Sequence, residues 1–223
     1  MFALIHLRKH ATGIKFARFI ATATVFKSNA ARKSPTPVVF LEGLGTPRSG
    51  WKDTWQTKFA DQGYTSTAIY LEPSTSGEQH EPAELVKSLS KELAKCVQKD
   101  LSFFPPVVIA QGFCTHVAEK YVESHPASGL VLLTPLSVEQ ATKAGVKELK
   151  TSALEGSLYE PEFPILLMSN KDNDKGPSHR LHGDPNIDQV EVEQGDDHSG
   201  VVNGRTWTNA CNHATQWLDD VGL

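Results

Sequence analysis

The residues best placed for nucleophilic chemistry lie in the segment 106–126, PVVIAQGFCTHVAEKYVESHP. Val107 to Ala110 is a short apolar run typical of a buried strand, and Phe113 to Glu123 has the pattern of a helix. Cys114 lies at the start of that helix, where the helix dipole can lower the pKa of a thiol. A thiolate there could attack a carbonyl carbon, although a free cysteine more commonly serves as a small buried side chain.

The first 33 residues have a charge pattern of their own. They contain seven basic residues and no acidic one, because the first acidic residue is Glu42. Hydroxyl-bearing and apolar side chains are interspersed, and basic residues interrupt the apolar run that a secretory signal needs. This composition predicts a mitochondrial presequence in residues 1–33, cleaved between residues 24 and 35, and a folded domain in residues 34–223. We therefore expect the protein in the mitochondrial matrix; a basic tail that binds nucleic acid or anionic lipid is the alternative.

Without that segment the chain is strongly acidic. Residues 34–223 keep 15 basic residues against 26 acidic ones, a net charge of about −11. A domain with this negative charge repels phosphate backbones, so we expect no nucleic-acid binding by the mature protein. No apolar run approaches membrane-spanning length, and no transmembrane segment is expected. The spacing of cysteines and histidines gives no reason to expect a disulfide framework, a metal site or a cofactor.

The rest of the chain alternates short apolar runs with amphipathic stretches, which is typical of a parallel sheet covered by helices. We predict strands at residues 38–41, 65–71, 107–110, 129–134, 163–168 and 188–193, the last of them an edge strand. We predict helices at residues 51–62, 82–99, 113–123, 138–149 and 206–221. The predicted fold is a single α/β domain with a mostly parallel central sheet and helices on both faces.

This order of elements resembles the α/β-hydrolase superfamily from about residue 37 to residue 220. Residues 38–51, VVFLEGLGTPRSGW, resemble the first buried strand of that fold and its glycine-rich loop. Residues 106–126 resemble the strand, turn and helix known as the nucleophile elbow. Residues 164–172, PILLMSNKD, and 194–200, QGDDHSG, resemble the segments that carry the catalytic acid and the catalytic histidine. The short stretch between the fourth and fifth predicted strands implies a member of the superfamily with only a short lid.

The resemblance assigns roles to particular residues. It places Gly112 at the nucleophile position, Asp172 at the acid and His198 at the histidine, in the order that the superfamily uses. Three further aspartates could replace Asp172 as the acid: Asp174, Asp196 and Asp197. In an active member a serine attacks the carbonyl, the histidine takes its proton and the acid orients the histidine. Glycine at position 112 provides no attacking atom, and loss of a triad member commonly removes several powers of ten in rate.

The resemblance also implies an oxyanion site. The backbone N–H groups of Phe113 and of the Gly43–Leu44 region would stabilise the negative charge that develops on the substrate oxygen. Glu42 stands where the superfamily often has histidine. If its side chain points inward, its charge opposes the development of an oxyanion, which is a second argument against ordinary ester hydrolysis.

Three interpretations of Gly112 stay open. In a non-catalytic protein, glycine relieves the backbone strain that the elbow imposes on a residue with a Cβ. Alternatively, Cys114 is the nucleophile in the shifted register G-x-C-x-G of dienelactone-hydrolase-like members, or water is activated directly by His198 and Asp172. The first predicts a binding or scaffold subunit whose partner is a mitochondrial protein complex or a small acyl ligand. The others predict a small esterase, thioesterase or lactone hydrolase.

Overall fold

The computed structural model describes residues 20–44, 51–72, 79–100, 104–143, 146, 149–150, 152–154, 162–170, 179–192 and 204–223. Within them, seven strands form one sheet in the order β1-β3-β2-β4-β5-β6-β7. The strands are β1 Ile20–Phe26, β2 Val38–Gly43, β3 Ser66–Glu72, β4 Val107–Gln111, β5 Gly129–Leu133, β6 Ile165–Asn170 and β7 Asp188–Val192. Strand β1 pairs antiparallel with β3, and every other pair is parallel. The predicted α/β domain with a mostly parallel sheet is therefore confirmed.

Helices cover both faces of this sheet. They are α1 Trp51–Asp61, α2 Pro82–Asp100, α3 Cys114–Val122, α4 Val138–Lys143 and α5 Gly204–Asp220. Alternate residues of β2 face opposite layers: Val39 and Leu41 belong to the core shared with α2 and α3, whereas Val38 and Phe40 belong to the core shared with α1 and α5. Because the central strands are buried on both faces, their sequences are continuous apolar runs rather than alternating ones.

The predicted strands and helices agree with the observed ones within about two residues at most ends. The exception is α4, which was predicted to reach residue 149 but ends at Lys143. Val146 and Leu149 are nonetheless buried in the core, so the apolar spacing that suggested a longer helix reflects packing of the following chain. No helix among the described residues is both long and apolar enough to cross a membrane.

Strand β1 was not predicted, and it lies within the segment 1–33 that the sequence assigns to a presequence. All seven of its residues are in register with β3, from Ile20 opposite Glu72 to Phe26 opposite Ser66. The sheet thus begins before residue 34, where the folded domain was predicted to start. Alternating alanine and threonine in β1 give no apolar run, so the sequence does not predict this strand.

Candidate functional site

The turn between β4 and α3 is centred on Gly112. Its φ is 61°, in the left-handed region that a residue with a Cβ occupies only under strain. The Gly112 N–H donates to the carbonyl of Leu133 at 3.0 Å, and its carbonyl accepts from Thr115 Oγ1 at 2.7 Å and from Leu136 N at 3.3 Å. The elbow-like turn is therefore held by the next strand along the sheet and by the first turn of α3, with a hydrogen atom in place of a side chain.

A second strained turn follows β2. Gly43 has a φ of 130° and Leu44 a φ of 51°, which is unusual for a branched side chain. Strands β2 and β4 are parallel neighbours, with Leu41 opposite Ala110. Both turns therefore follow the carboxyl ends of central strands. Binding sites of open α/β sheets lie at these carboxyl ends. Strain of this kind, which costs about 1–3 kcal/mol per residue, is typical of functional turns.

Two backbone donors belong to these turns. Phe113 is buried and precedes the first residue of α3, and Leu44 is only 5% exposed. No described residue accepts a hydrogen bond from the N–H of either one. Buried N–H groups nearly always find a partner, so a pair without an acceptor in the described part of the chain suits a bound oxygen. These are the groups that the resemblance assigned to the oxyanion site.

Cys114, the first residue of α3, is fully buried. Its Sγ donates to the carbonyl oxygen of Gly43 at 3.6 Å, which links the two turns. Burial raises the pKa of the thiol well above its usual value, and the charge of Glu42 raises it further. Both effects act against the lowering of the pKa that a position at the start of a helix suggests, and they favour the thiol form at neutral pH.

Glu42 points into the protein and is only 2% exposed. The ammonium group of Lys52, in the first turn of α1, lies 2.6 Å from its Oε1. A buried carboxylate needs such a partner, since an uncompensated charge in the interior is very costly. Glu42 therefore points inward, as the sequence-based argument required, but Lys52 offsets its charge, which weakens the argument that Glu42 opposes an oxyanion.

A charged cluster that the sequence analysis missed lies on α3. The buried carboxylate of Glu119 has Oε2 at 3.4 Å from both His116 Nδ1 and His179 Nε2, and Oε1 at 3.6 Å from Arg180 Nε. His116 also donates from Nε2 to the carbonyl of Leu136 at 2.9 Å. The sequence alone suggests a helix-surface position for His116. His116 and Glu119 are three residues apart on α3, and this spacing was the only local sign of the cluster in the sequence.

This cluster is connected to the elbow-like turn. Leu136, which accepts from His116, also donates to the carbonyl of Gly112. Glu119 in turn contacts His179, in the segment that leads into β7. The cluster therefore holds the turn, α3 and residues 179–180 in fixed positions. No group of histidine, cysteine and carboxylate side chains among the described residues has the geometry of a metal site.

The proposed acid and histidine, Asp172 and His198, lie outside the described residues, as do Asp174, Asp196 and Asp197. The described strands nevertheless fix where their loops begin. Strands β6 and β7 run parallel to β4 and end at Asn170 and Val192. Both loops therefore begin at the carboxyl ends of their strands, on the same side of the sheet as Gly112. The roles of Asp172 and His198 stay predictions.

Comparison with known proteins agrees with this architecture. No protein-family model matches the chain, and no curated protein matches it in sequence. Among solved structures, MenH from S. aureus superposes with a TM-score of 0.62 at 13% identity, over 90% of this chain and 99% of that one. The α/β hydrolase MGS-MChE2, from the metagenome of lagoon sediments at Mar Chica, Morocco, gives 0.61 at 15% identity, over 97% and 99%. A putative aryl esterase from Burkholderia cenocepacia gives 0.55 at 12% identity, over 90% and 96%. The chain has the α/β-hydrolase fold, as the four sequence segments predicted.

Proposed function

We propose that this protein is a mitochondrial α/β-hydrolase-fold protein that lacks serine-hydrolase chemistry and acts as a binding or scaffold subunit. The observation that carries the proposal is Gly112, which occupies the turn between β4 and α3 at a φ of 61°. In the resemblance to the α/β-hydrolase superfamily, this turn would present the attacking atom, and glycine has none to present. The mitochondrial location rests on the basic, acid-free composition of the N-terminal segment.

Cys114 does not compensate for the missing serine in this proposal. A nucleophilic cysteine reacts as the thiolate and must reach the substrate, whereas the Cys114 thiol is fully buried and hydrogen-bonded to Gly43. Its raised pKa disfavours the thiolate further. The side chain joins the two turns instead.

The same turns favour a particular kind of ligand. The N–H groups of Phe113 and Leu44 have no acceptor among the described residues, and the hydrogen bond from Cys114 to Gly43 holds their two turns together. In the proposal, both groups donate to the carbonyl oxygen of a small acyl ligand. We infer that the strained backbone at Leu44 positions its N–H to bind such a group rather than to promote its cleavage.

Gly112→Ser is expected to introduce reactivity toward a fluorophosphonate probe, with no labelling of the unmodified protein. The new hydroxyl would occupy the nucleophile position beside the two N–H donors and, in the proposal, within reach of His198. The measurement is in-gel fluorescence of the purified full chain after exposure to the probe. Gly112→Ala is the matched control, since it introduces the same strain at φ 61° without an oxygen.

The outcomes separate the parts of the proposal. Labelling of the unmodified protein would contradict the absence of serine-hydrolase chemistry. A stable Gly112→Ser protein without labelling would contradict an intact site around the turn. The scaffold role has its own measurement, because a subunit should migrate with a larger complex in native electrophoresis of gently lysed mitochondria. Migration as a monomer would contradict that role.

A second candidate is a small hydrolase in which His198 and Asp172 activate water directly. The donor pair at Phe113 and Leu44 favours it, because an oxyanion needs such donors and a scaffold does not. This candidate predicts turnover of short acyl esters that His198→Ala abolishes and Cys114→Ala leaves unchanged. Turnover that survives His198→Ala, or no turnover at all, would exclude it.

A further inference from the structure

Strand β1 is a full member of the sheet. Its seven residues pair antiparallel with β3 over the whole length of that strand, from Ile20 opposite Glu72 to Phe26 opposite Ser66. Ala21 and Ala23 pack against the core that α2 and α3 share with the sheet, whereas Thr22 and Thr24 are exposed. The alternation matches the pleat of a strand with one buried face.

The chain after β1 is also anchored. The buried Ser28 donates from Oγ to the carbonyl of Ala60, at 2.7 Å, and Ser34 N donates to the carbonyl of Gly63 at 3.0 Å. A Cβ on Gly63, whose φ is 104°, would come within 2.5 Å of the Arg32 carbonyl oxygen. Residues 28–34 therefore pack tightly against the end of α1 and the turn that follows it.

These contacts conflict with cleavage between residues 24 and 35. Such a cut would remove all or most of β1 and would leave the backbone N–H and C=O groups of β3 unpaired along that edge. It would also uncover the part of the core that Ala21 and Ala23 cover.

We propose that the mature protein retains β1 and that presequence removal occurs N-terminal to Ile20. This rests on the proposed mitochondrial import. A processing endopeptidase would add water across a peptide bond in residues 1–20, leaving a carboxylate on the released leader and an amino group on the mature chain. Removal of residues 1–19 takes away four of the 22 basic residues and none of the 26 acidic ones. The mature chain would then carry a formal side-chain charge of about −8.

The direct test is the N-terminus of the protein from cells. The full chain with a C-terminal tag is expressed in eukaryotic cells, purified from mitochondria, and its first residue is mapped by mass spectrometry. We expect an N-terminus after Met1 and no later than Ile20, whereas an uncut chain in mitochondria would contradict presequence removal. An N-terminus after residue 20 would overturn the proposal. An uncut chain found in the cytosol would keep β1 but would contradict the mitochondrial location, so the two failures are distinguishable.

A matched pair of full-length variants tests the structural premise without any import. Ala23→Asp places a charge on the core-facing side of β1, and Thr24→Asp places the same side chain on the exposed side. We expect Ala23→Asp to lower the Tm by roughly 4–10 °C and Thr24→Asp to leave it nearly unchanged. An equal Tm for both variants would show that β1 is not part of the folded body and would overturn the proposal.

Discussion

Glu119→Ala is expected to lower the free energy of unfolding by about 3–5 kcal/mol, the cost of breaking a buried ion pair from one side. The Glu119 carboxylate is only 3% exposed and lies between His116, His179 and Arg180. Removing it deletes a negative charge that these three side chains share. Urea denaturation followed by circular dichroism at pH 7 measures the loss.

The pH dependence of the same interaction has a definite sign. Burial raises the pKa of Glu119, but hydrogen bonds from His116 and His179 and their charges lower it more, to about 2 from a usual value of 4.5. A carboxyl whose pKa is lower in the folded state stabilises the fold above its unfolded pKa. This contribution is present above pH 4.5 and is lost as the pH falls from 4.5 toward 2.

Comparison of the unmodified protein with Glu119→Gln isolates this charge. The difference in unfolding free energy between the two should be large at pH 7 and smaller at pH 3. A difference that stays constant between these pH values would contradict the lowered pKa. Glu139→Ala is the matched control, because Glu139 also forms a helical ion pair, with Lys143, but both side chains are exposed. No measurable destabilisation is expected there.

Gly43→Ala is expected to destabilise the protein by roughly 2–6 kcal/mol, from backbone strain and steric overlap together. Its φ is 130°, which side chains rarely adopt, and an added Cβ would lie 2.1 Å from the carbonyl oxygen of Leu71. That oxygen belongs to β3, which pairs with β2 at this position. The overlap can be relieved only by moving two paired strands apart, so little relaxation is available.

A second glycine in the chain separates strain from overlap. Gly183 has a φ of 80°, and an added Cβ there would meet nothing within 4 Å. Gly183→Ala should therefore show only the cost of a positive φ, roughly 1–3 kcal/mol. Chemical denaturation of both variants under the same conditions measures the difference. Equal losses at the two positions would contradict the close approach of Leu71 to the turn after β2.

The central part of the fold could be predicted from the sequence because its physical signal is local. Strands β2, β4 and β5 are buried on both faces, so each is a continuous apolar run bounded by proline or glycine. Strand β1 gives no such signal, because it covers the core with small side chains at an edge of the sheet. Its basic and hydroxyl-bearing surroundings suggested a targeting segment instead.

The candidate site could be predicted only in part. The turn at Gly112 follows from an apolar strand that runs directly into a helix, and the sequence shows both. The protonation state of Cys114 could not be predicted in the same way. The helix dipole and burial shift the pKa of its thiol in opposite directions, and the depth of burial is known only from the packing. The Glu119 cluster depends on His179 and Arg180, which are distant in sequence and approach α3 only in the folded chain.

The pairing of β2 with β4 also constrains when the protein can fold. Val38 lies opposite Val107, so the centre of the sheet is assembled from strands that two helices and another strand separate in sequence. A ribosome must pass Val107 before this ladder can close, and such distant pairings form slowly. The two cores that flank the sheet both include residues of β4, so they stay incomplete until synthesis has passed that strand.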